Sequence, residues 1–243
     1  MRLRIVFSKT GSLRYTGHLD LQTVWERTIR RAGLPLAYTH GFHPGPRIQI
    51  ASALPLGFIG RSEIVDIWLN DVGADLPVPA FWGRVDPTYA PGGLPAVDLL
   101  QPAAPPGLTI LSVEQVDEGA PALQTQVASA EYEVTLLEPV SRSDLEHRLQ
   151  KLLAARSLPR QRRGKDYDLR PLIEEISLAP IQLPPFSGKM GGDTEGGGVR
   201  VFMRLAARQG ATGRPEEVLD VLGVPFETAR IERTRLILKS GIE

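Results

Sequence analysis

Residues 2–7, RLRIVF, alternate polar and apolar side chains, and the stretch HLDLQTVWERTIRRAG at residues 18–33 repeats apolar side chains at helical spacing. A strand followed by a helix is therefore predicted. Gly33 stands where a helix-ending glycine belongs, and Pro35 cannot continue the helix. Further strands are predicted at residues 48–52, 64–69 and 109–116, with a helix at 78–85, so the first half has the order βαββαβ.

The second half repeats this order. Strands are predicted at residues 132–137, 172–178, 199–206 and 229–238, with helices at 143–155 and 215–222. Ser141 and Asp144 form a capping pair for the first of these helices, and Pro215 and Gly223 delimit the second. The sequence thus predicts an α+β fold of two tandem ferredoxin-like (βαββαβ) units with antiparallel sheets. We expect an N-terminal domain over residues 1–117, with a signature segment at 9–57, and a C-terminal domain over 128–243.

Cysteine is absent from the 243 residues, which excludes disulfides, thiolate metal sites and cysteine nucleophiles. The sequence starts as a strand rather than as a signal peptide, and it contains no run of about 18 apolar residues. We therefore expect a cytoplasmic protein with no membrane partner.

The net charge is zero, yet the charges are segregated along the chain. Residues 1–60 hold eight cations and two acids (+6), residues 61–140 hold two and twelve (−10), and the remainder holds eighteen and fourteen (+4). This asymmetry favours an anionic partner, although ordinary solvated charge explains it equally well.

The segment SKTGSLRYTGHLD, residues 8–20, places polar side chains between the first strand and the first helix. A helix start favours phosphate or carboxylate, so Lys9, Thr10, Arg14 and His18 are predicted anion ligands. The segment lacks the GxxxxGK[ST] pattern of a P-loop. Asp20 has the alternative role of complementing the helix dipole.

Arginine and aromatic side chains continue this pattern after residue 20. Arg27, Arg30 and Arg31 lie three and four residues apart, so they can grip phosphates together or form a solvated helix face. The loop that follows interleaves rings with a cation, a pattern that suits stacking of a base or of a planar cofactor while the cation holds its phosphates. Its predicted ligands are Tyr38, Phe42, His43 and Arg47. His18, His40 and His43 match no short metal motif, so no metal site is predicted.

A second basic cluster lies in the other half, in RSLPRQRRGKDYDLRPLI at residues 156–173. It is a candidate second wall of a polyanion site, and the last strand adds an alternating set of arginines. The alternative is a solvent-facing or edge strand that carries charge. The predicted ligands of this region are Arg162, Arg163, Lys165, Asp168, Arg170 and Arg233.

The stretch from FSKTGSLRYTGHLD to ASALPLG, with the later RGKDYDLRPLI and IERTRLIL, resembles the radical SAM-associated (radical SAM-linked) bacterial proteins of undetermined activity. That family occurs alone or fused behind a radical SAM enzyme. The resemblance implies a radical SAM protein as partner and a role in handling RNA. Because this sequence has no thiolate for a cluster, the iron–sulfur cluster and SAM are expected on the partner, and no cofactor is expected on this chain.

Three functions follow from these residues. The first is a non-catalytic substrate-handling or docking partner of a radical SAM protein, which binds RNA or another phosphate-bearing substrate through a basic cleft. The alternative is a hydrolase or nuclease that uses His18 and His43 as acid and base, with Asp20 orienting one of them. A third is a purely structural scaffold.

Overall fold

The computed structural model describes residues 1–70, 97–179 and 199–239. It has two compact units, one formed by Met1–Val127 with Leu238–Glu243 and the other by Ala128–Ile237. Within the described residues, no helix has both the length and the hydrophobicity that crossing a bilayer requires. The predicted helix at 78–85 lies outside the described residues.

Unit 1 contains a four-stranded antiparallel sheet and one long helix. Strand β1 lies between β3 and β4, and β2 pairs with the other side of β3. The elements are β1 (Arg2–Lys9), α1 (His18–Arg31), β2 (Ile48–Ile50), β3 (Ile59–Trp68), α2 (Val97–Leu100), β4 (Leu108–Val116) and α3 (Leu123–Gln126).

The core of unit 1 lies between the sheet and α1. Odd-numbered residues of β1 are buried against the helix, where the Phe7 and Trp25 rings meet edge to face with centroids 4.9 Å apart. Helix α1 ends as its sequence predicts, because Gly33 has φ +71° and the Leu34 N–H donates to the Ile29 carbonyl.

Unit 2 has a sheet in which β9 lies between β5 and β8, β5 lies beside β11, and the short β10 pairs with β9. Strands β6 and β7 form a separate two-stranded hairpin. The elements are β5 (Val127–Leu136), α4 (Arg142–Ala154), β6 (Pro159–Arg162), β7 (Lys165–Asp168), β8 (Ile173–Leu178), β9 (Arg200–Arg208), β10 (Ala211–Thr212), α5 (Pro215–Val221) and β11 (Ala229–Leu238).

The mixture of helices with mostly antiparallel strands confirms the coarser part of the predicted fold class. Ser141 begins α4 and its Oγ accepts from the Asp144 N–H, as the capping pair predicts. Several features differ from the prediction, and the short elements α2, α3 and β10 are among those that the sequence did not predict. Strand β3 begins at Ile59, in a stretch without apolar alternation, and the sequence did not predict the β6–β7 hairpin.

Candidate nucleic-acid interface

Lys9 belongs to the framework of unit 1 rather than to its exposed surface, and Thr10 beside it is half-buried. The Lys9 side chain is 1% exposed, and its Nζ donates to the Thr16 carbonyl at 2.7 Å, just before α1 begins. The Thr10 N–H donates to the Gly107 carbonyl at 2.8 Å. Both contacts fix the turn between β1 and α1. The Lys9 ammonium, which was predicted to bind an anion, is instead hydrogen-bonded to a backbone carbonyl.

Replacing Lys9 with alanine is expected to lower the free energy of unfolding by about 1–3 kcal/mol, because the partly buried Thr16 carbonyl loses its donor. Denaturant unfolding measures this change. The exposed Lys239→Ala serves as control and should shift stability by no more than about 0.5 kcal/mol. Equal stability of the two variants would contradict a structural role for Lys9.

The next predicted ligands, Arg14 and His18, form no hydrogen bond or ion pair with Asp20 among the residues that the structure describes. The Arg14 guanidinium lies over the Tyr15 ring at 4.7 Å and donates to the Tyr15 hydroxyl at 2.6 Å. His18 is the first residue of α1, and Asp20 lies exposed in its first turn. Within the described ranges, no hydrogen bond joins His18, Asp20 and His43, the three residues of the hydrolase alternative.

All three predicted arginines of α1 are exposed on its outer face, and they differ in whether they already have a partner. Arg31 donates to the Ala103 carbonyl at 3.0 Å, which ties it to the turn before β4. The Arg30 guanidinium lies 4.0 Å from the Glu26 carboxylate and its side chain is 68% exposed. Arg27 is exposed and forms no hydrogen bond or ion pair with the residues that the structure describes. Arg27 and Arg30 therefore remain accessible to an anion.

A closed loop over residues 38–46 lies beside this helix face. The Tyr38 hydroxyl donates to Glu26 Oε1 at 2.9 Å, and this bond raises the pKa of Tyr38, so the phenol remains a donor. The Thr39 N–H donates to the Gly45 carbonyl at 2.8 Å, and the Gly45 N–H returns a bond to Thr39 Oγ1 at 3.0 Å. These bonds close the loop and fix its base against α1.

The tip of this loop carries three side-chain rings that are exposed to solvent. The Phe42 side chain is fully exposed, at 102% of its reference area, and His40 and His43 are exposed on either side of it. Phe42 follows Tyr38 by four positions, so their Cα atoms are at most about 14 Å apart. The loop tip is thus tethered to Glu26 of α1 through Tyr38. We call Arg27, Arg30, Tyr38, His40, Phe42 and His43 the α1–loop surface.

Arg47, another predicted ligand, follows the loop and stacks on a tryptophan. Its guanidinium lies 4.8 Å from the centre of the Trp68 ring, and its N–H donates to the Ala37 carbonyl at 2.8 Å. Arg47 is exposed, so its outer edge can reach solvent anions. Its position is fixed by packing rather than by a counter-charge.

The basic cluster of unit 2 forms the β6–β7 hairpin and its exit, and most of its charges already have partners. Arg162 donates to both carboxylate oxygens of Glu217, at 3.1 and 2.5 Å. Arg170 donates to the carbonyls of Ile173 and Leu153, each at 3.3 Å. These two predicted ligands therefore hold elements of unit 2 together.

Asp168 and Arg233 are likewise engaged. The Asp168 carboxylate accepts the Leu158 N–H at 2.7 Å and the Arg170 N–H at 2.9 Å, and these bonds lower the pKa of Asp168 below its ordinary value. Arg233 is buried, with 2% of its area exposed. Of the ligands predicted in this region, only Arg163 and Lys165 are exposed cations that form no hydrogen bond or ion pair within the described part of the chain.

Among the residues whose positions are described, no group of three or more His, Cys, Asp or Glu side chains is arranged to hold a metal ion. What unit 1 does assemble is an exposed aromatic tip beside exposed guanidinium groups. Rings of this kind stack on planar groups, and guanidinium forks bind phosphate oxygens.

Fold and surface define a mixed α/β protein of two compact units, with an exposed cationic and aromatic face on the first. Residues 2–215 match the family described as "Uncharacterized protein conserved in bacteria (DUF2344)", and the chain belongs to that family. No curated protein matches the sequence.

Proposed function

We propose that the protein is an RNA-binding, substrate-handling partner of a radical SAM protein, and that the α1–loop surface is where RNA binds. The observation that carries the proposal is the fully exposed Phe42 on a closed loop whose base is hydrogen-bonded to α1. An aromatic ring on a fixed loop can stack an unpaired base without first paying the entropy of ordering that loop.

The charges of the same surface support phosphate contact. Arg27 and Arg30 lie three residues apart on α1, so their guanidinium groups are neighbours on the helix surface. Glu26 Oε1 accepts the Tyr38 hydroxyl at 2.9 Å and lies 4.0 Å from the Arg30 guanidinium, so the ion pair of Arg30 is a long one. We propose that a strand of RNA stacks a base on Phe42 and contacts this pair with its phosphates.

The fold proposal accompanies the functional one. We propose that each unit is a ferredoxin-like βαββαβ unit. Its support is the strand order. In unit 1, β1 lies between β3 and β4, with β2 outside β3; in unit 2, β5 lies between β9 and β11, with β8 outside β9. Helices α1 and α4 occupy the first crossover in their respective units.

The radical SAM partner is proposed on the resemblance of the signature segment. These 243 residues have no cysteine, so the three thiolates that radical SAM chemistry needs must come from the partner. Affinity purification from the native cell should recover an iron–sulfur protein together with RNA. Recovery of RNA alone would remove the partner from the proposal and leave the RNA site in place.

RNA binding itself is tested by fluorescence anisotropy with a labelled single-stranded RNA of mixed sequence across about 50 to 200 mM KCl. The logarithm of the association constant is expected to fall linearly with the logarithm of salt concentration, by about 0.7 for each phosphate neutralised. Absence of binding at low salt, or affinity independent of salt, would overturn the proposal. Cleavage of the RNA that depends on His18 would instead establish the hydrolase alternative.

A further inference from the structure

The turn of the β6–β7 hairpin consists of two residues, and the first of them is an unusual residue type for its position. Arg162 pairs with Lys165, so Arg163 and Gly164 alone form the turn, with φ values of +50° and +74°. A two-residue turn of this kind requires positive φ at both positions, and Asn, Asp or Gly normally supply it. Arg163 is the only non-glycine residue with positive φ among the residues described.

The stem of the hairpin is braced, so the turn is held in a fixed position. On the hairpin face that carries Arg160 and Arg162, the guanidinium of Arg160 lies 2.9 Å from the Asp220 carboxylate, and Arg162 binds Glu217. The Arg162 guanidinium also lies 4.8 Å from the Tyr167 ring centre. Both acids belong to α5, which therefore neutralises the stem and anchors it.

The tip is different, because its charge is not neutralised. Arg163 and Lys165 are exposed and form no hydrogen bond or ion pair with the described residues. A sequence that needed only the turn would carry asparagine or glycine at position 163, since a larger side chain is strained there. Strain retained at one residue, together with an uncompensated charge, indicates a functional use of that residue.

We infer that the tip of the β6–β7 hairpin is a second RNA contact, in which Arg163 and Lys165 bind backbone phosphates without reading sequence. The inference rests on the proposed function, because it concerns the same class of ligand. The planar guanidinium of Arg163, held on a fixed turn, can donate hydrogen bonds to two oxygens of one phosphate. The Lys165 ammonium adds a second positive charge.

Arg163→Asn separates strain from function, since asparagine tolerates positive φ but carries no charge. This variant is expected to raise Tm by roughly 2–4 °C and to weaken binding of the labelled RNA by about two- to fivefold. The salt slope should fall by about 0.7. Lys165→Gln should show the same loss of affinity and slope without the gain in Tm.

Arg163→Lys is the matched control, because it keeps both the charge and the strained backbone. It should bind RNA within about twofold of the wild type and show no rise in Tm. If Arg163→Asn and Lys165→Gln bind RNA as the wild type does while Phe42→Ala loses affinity, the hairpin contact is overturned and the proposed function stands. If wild-type protein binds no RNA, the proposed function fails, and the inference fails with it.

Discussion

Asp66→Asn is expected to destabilise the protein by about 3–5 kcal/mol, because it leaves two arginines without their shared counter-charge. Asp66 is completely buried and Arg2 is 1% exposed. The Arg2 Nε and Nη2 atoms donate to Asp66 Oδ2 at 3.0 and 2.6 Å, and Arg4 Nε donates to Oδ1 at 2.9 Å. The isosteric amide keeps the volume but removes the charge.

The Arg2 guanidinium is enclosed by protein on its remaining sides. Its remaining N–H groups donate to the carbonyls of Ala120 and Pro121 at 2.6 and 3.0 Å, and its face lies 4.8 Å from the centre of the Trp68 ring. It must therefore remain buried after the substitution. This network joins β1, β3 and the segment after β4, so its loss weakens the sheet that supports α1.

Denaturant unfolding of Asp66→Asn beside Glu146→Gln tests this expectation. Glu146 pairs with Arg142 at 3.0 Å on the surface of α4, and its side chain is 49% exposed. The same change from carboxylate to amide there should cost only about 0.3–0.5 kcal/mol. Similar losses at the two positions would contradict the assignment of Asp66 as a buried centre of unit 1.

Phe42→Ala is expected to weaken binding of single-stranded RNA by about 5- to 150-fold, which corresponds to about 1–3 kcal/mol for one stacked base. The ring covers no other residue, so the free energy of unfolding should change by less than about 0.5 kcal/mol. Anisotropy titration and denaturant unfolding of the same protein samples measure the two quantities.

Two further variants make the Phe42 result specific. Phe226→Ala removes an aromatic ring that is 47% exposed in unit 2 and should leave RNA affinity unchanged. Phe42→Trp keeps a stacking face and should retain affinity, with its fluorescence quenched when RNA binds. If Phe42→Ala and Phe226→Ala have the same affinity as the wild type, base stacking on Phe42 is excluded.

The sequence predicted the elements whose start, end and buried face are determined by residues close together in the chain. Helix α1 was predictable because its apolar stripe and its glycine stop act within a few residues, and Ser141 marks the start of α4 in the same way. The β6–β7 hairpin was not predicted, because Arg163 occupies the position at which an asparagine is the usual sequence signal of a two-residue turn. The Arg163-Gly164 pair between two short polar runs was the available signal.

Charge alone could not distinguish ligands from framework residues. Lys9 and Arg170 donate hydrogen bonds to backbone carbonyls. Every residue has such a carbonyl, so the sequence does not show which one a cation will bind. Arg162 pairs with Glu217, 55 residues away, and Arg2 pairs with Asp66, 64 residues away. Such partners depend on tertiary contacts, so a basic run predicts where cations are abundant but not which of them remain exposed.

The central claim, that the α1–loop surface binds RNA phosphates, is tested most directly by the salt slope of Arg27→Gln/Arg30→Gln. Lys151→Gln/Lys239→Gln removes the same charge from exposed positions elsewhere and serves as control. Loss of two phosphate contacts should reduce the slope of the log–log salt plot by about 1.4 relative to wild type, while the control keeps the wild-type slope. Equal slopes for the two double variants would contradict the claim.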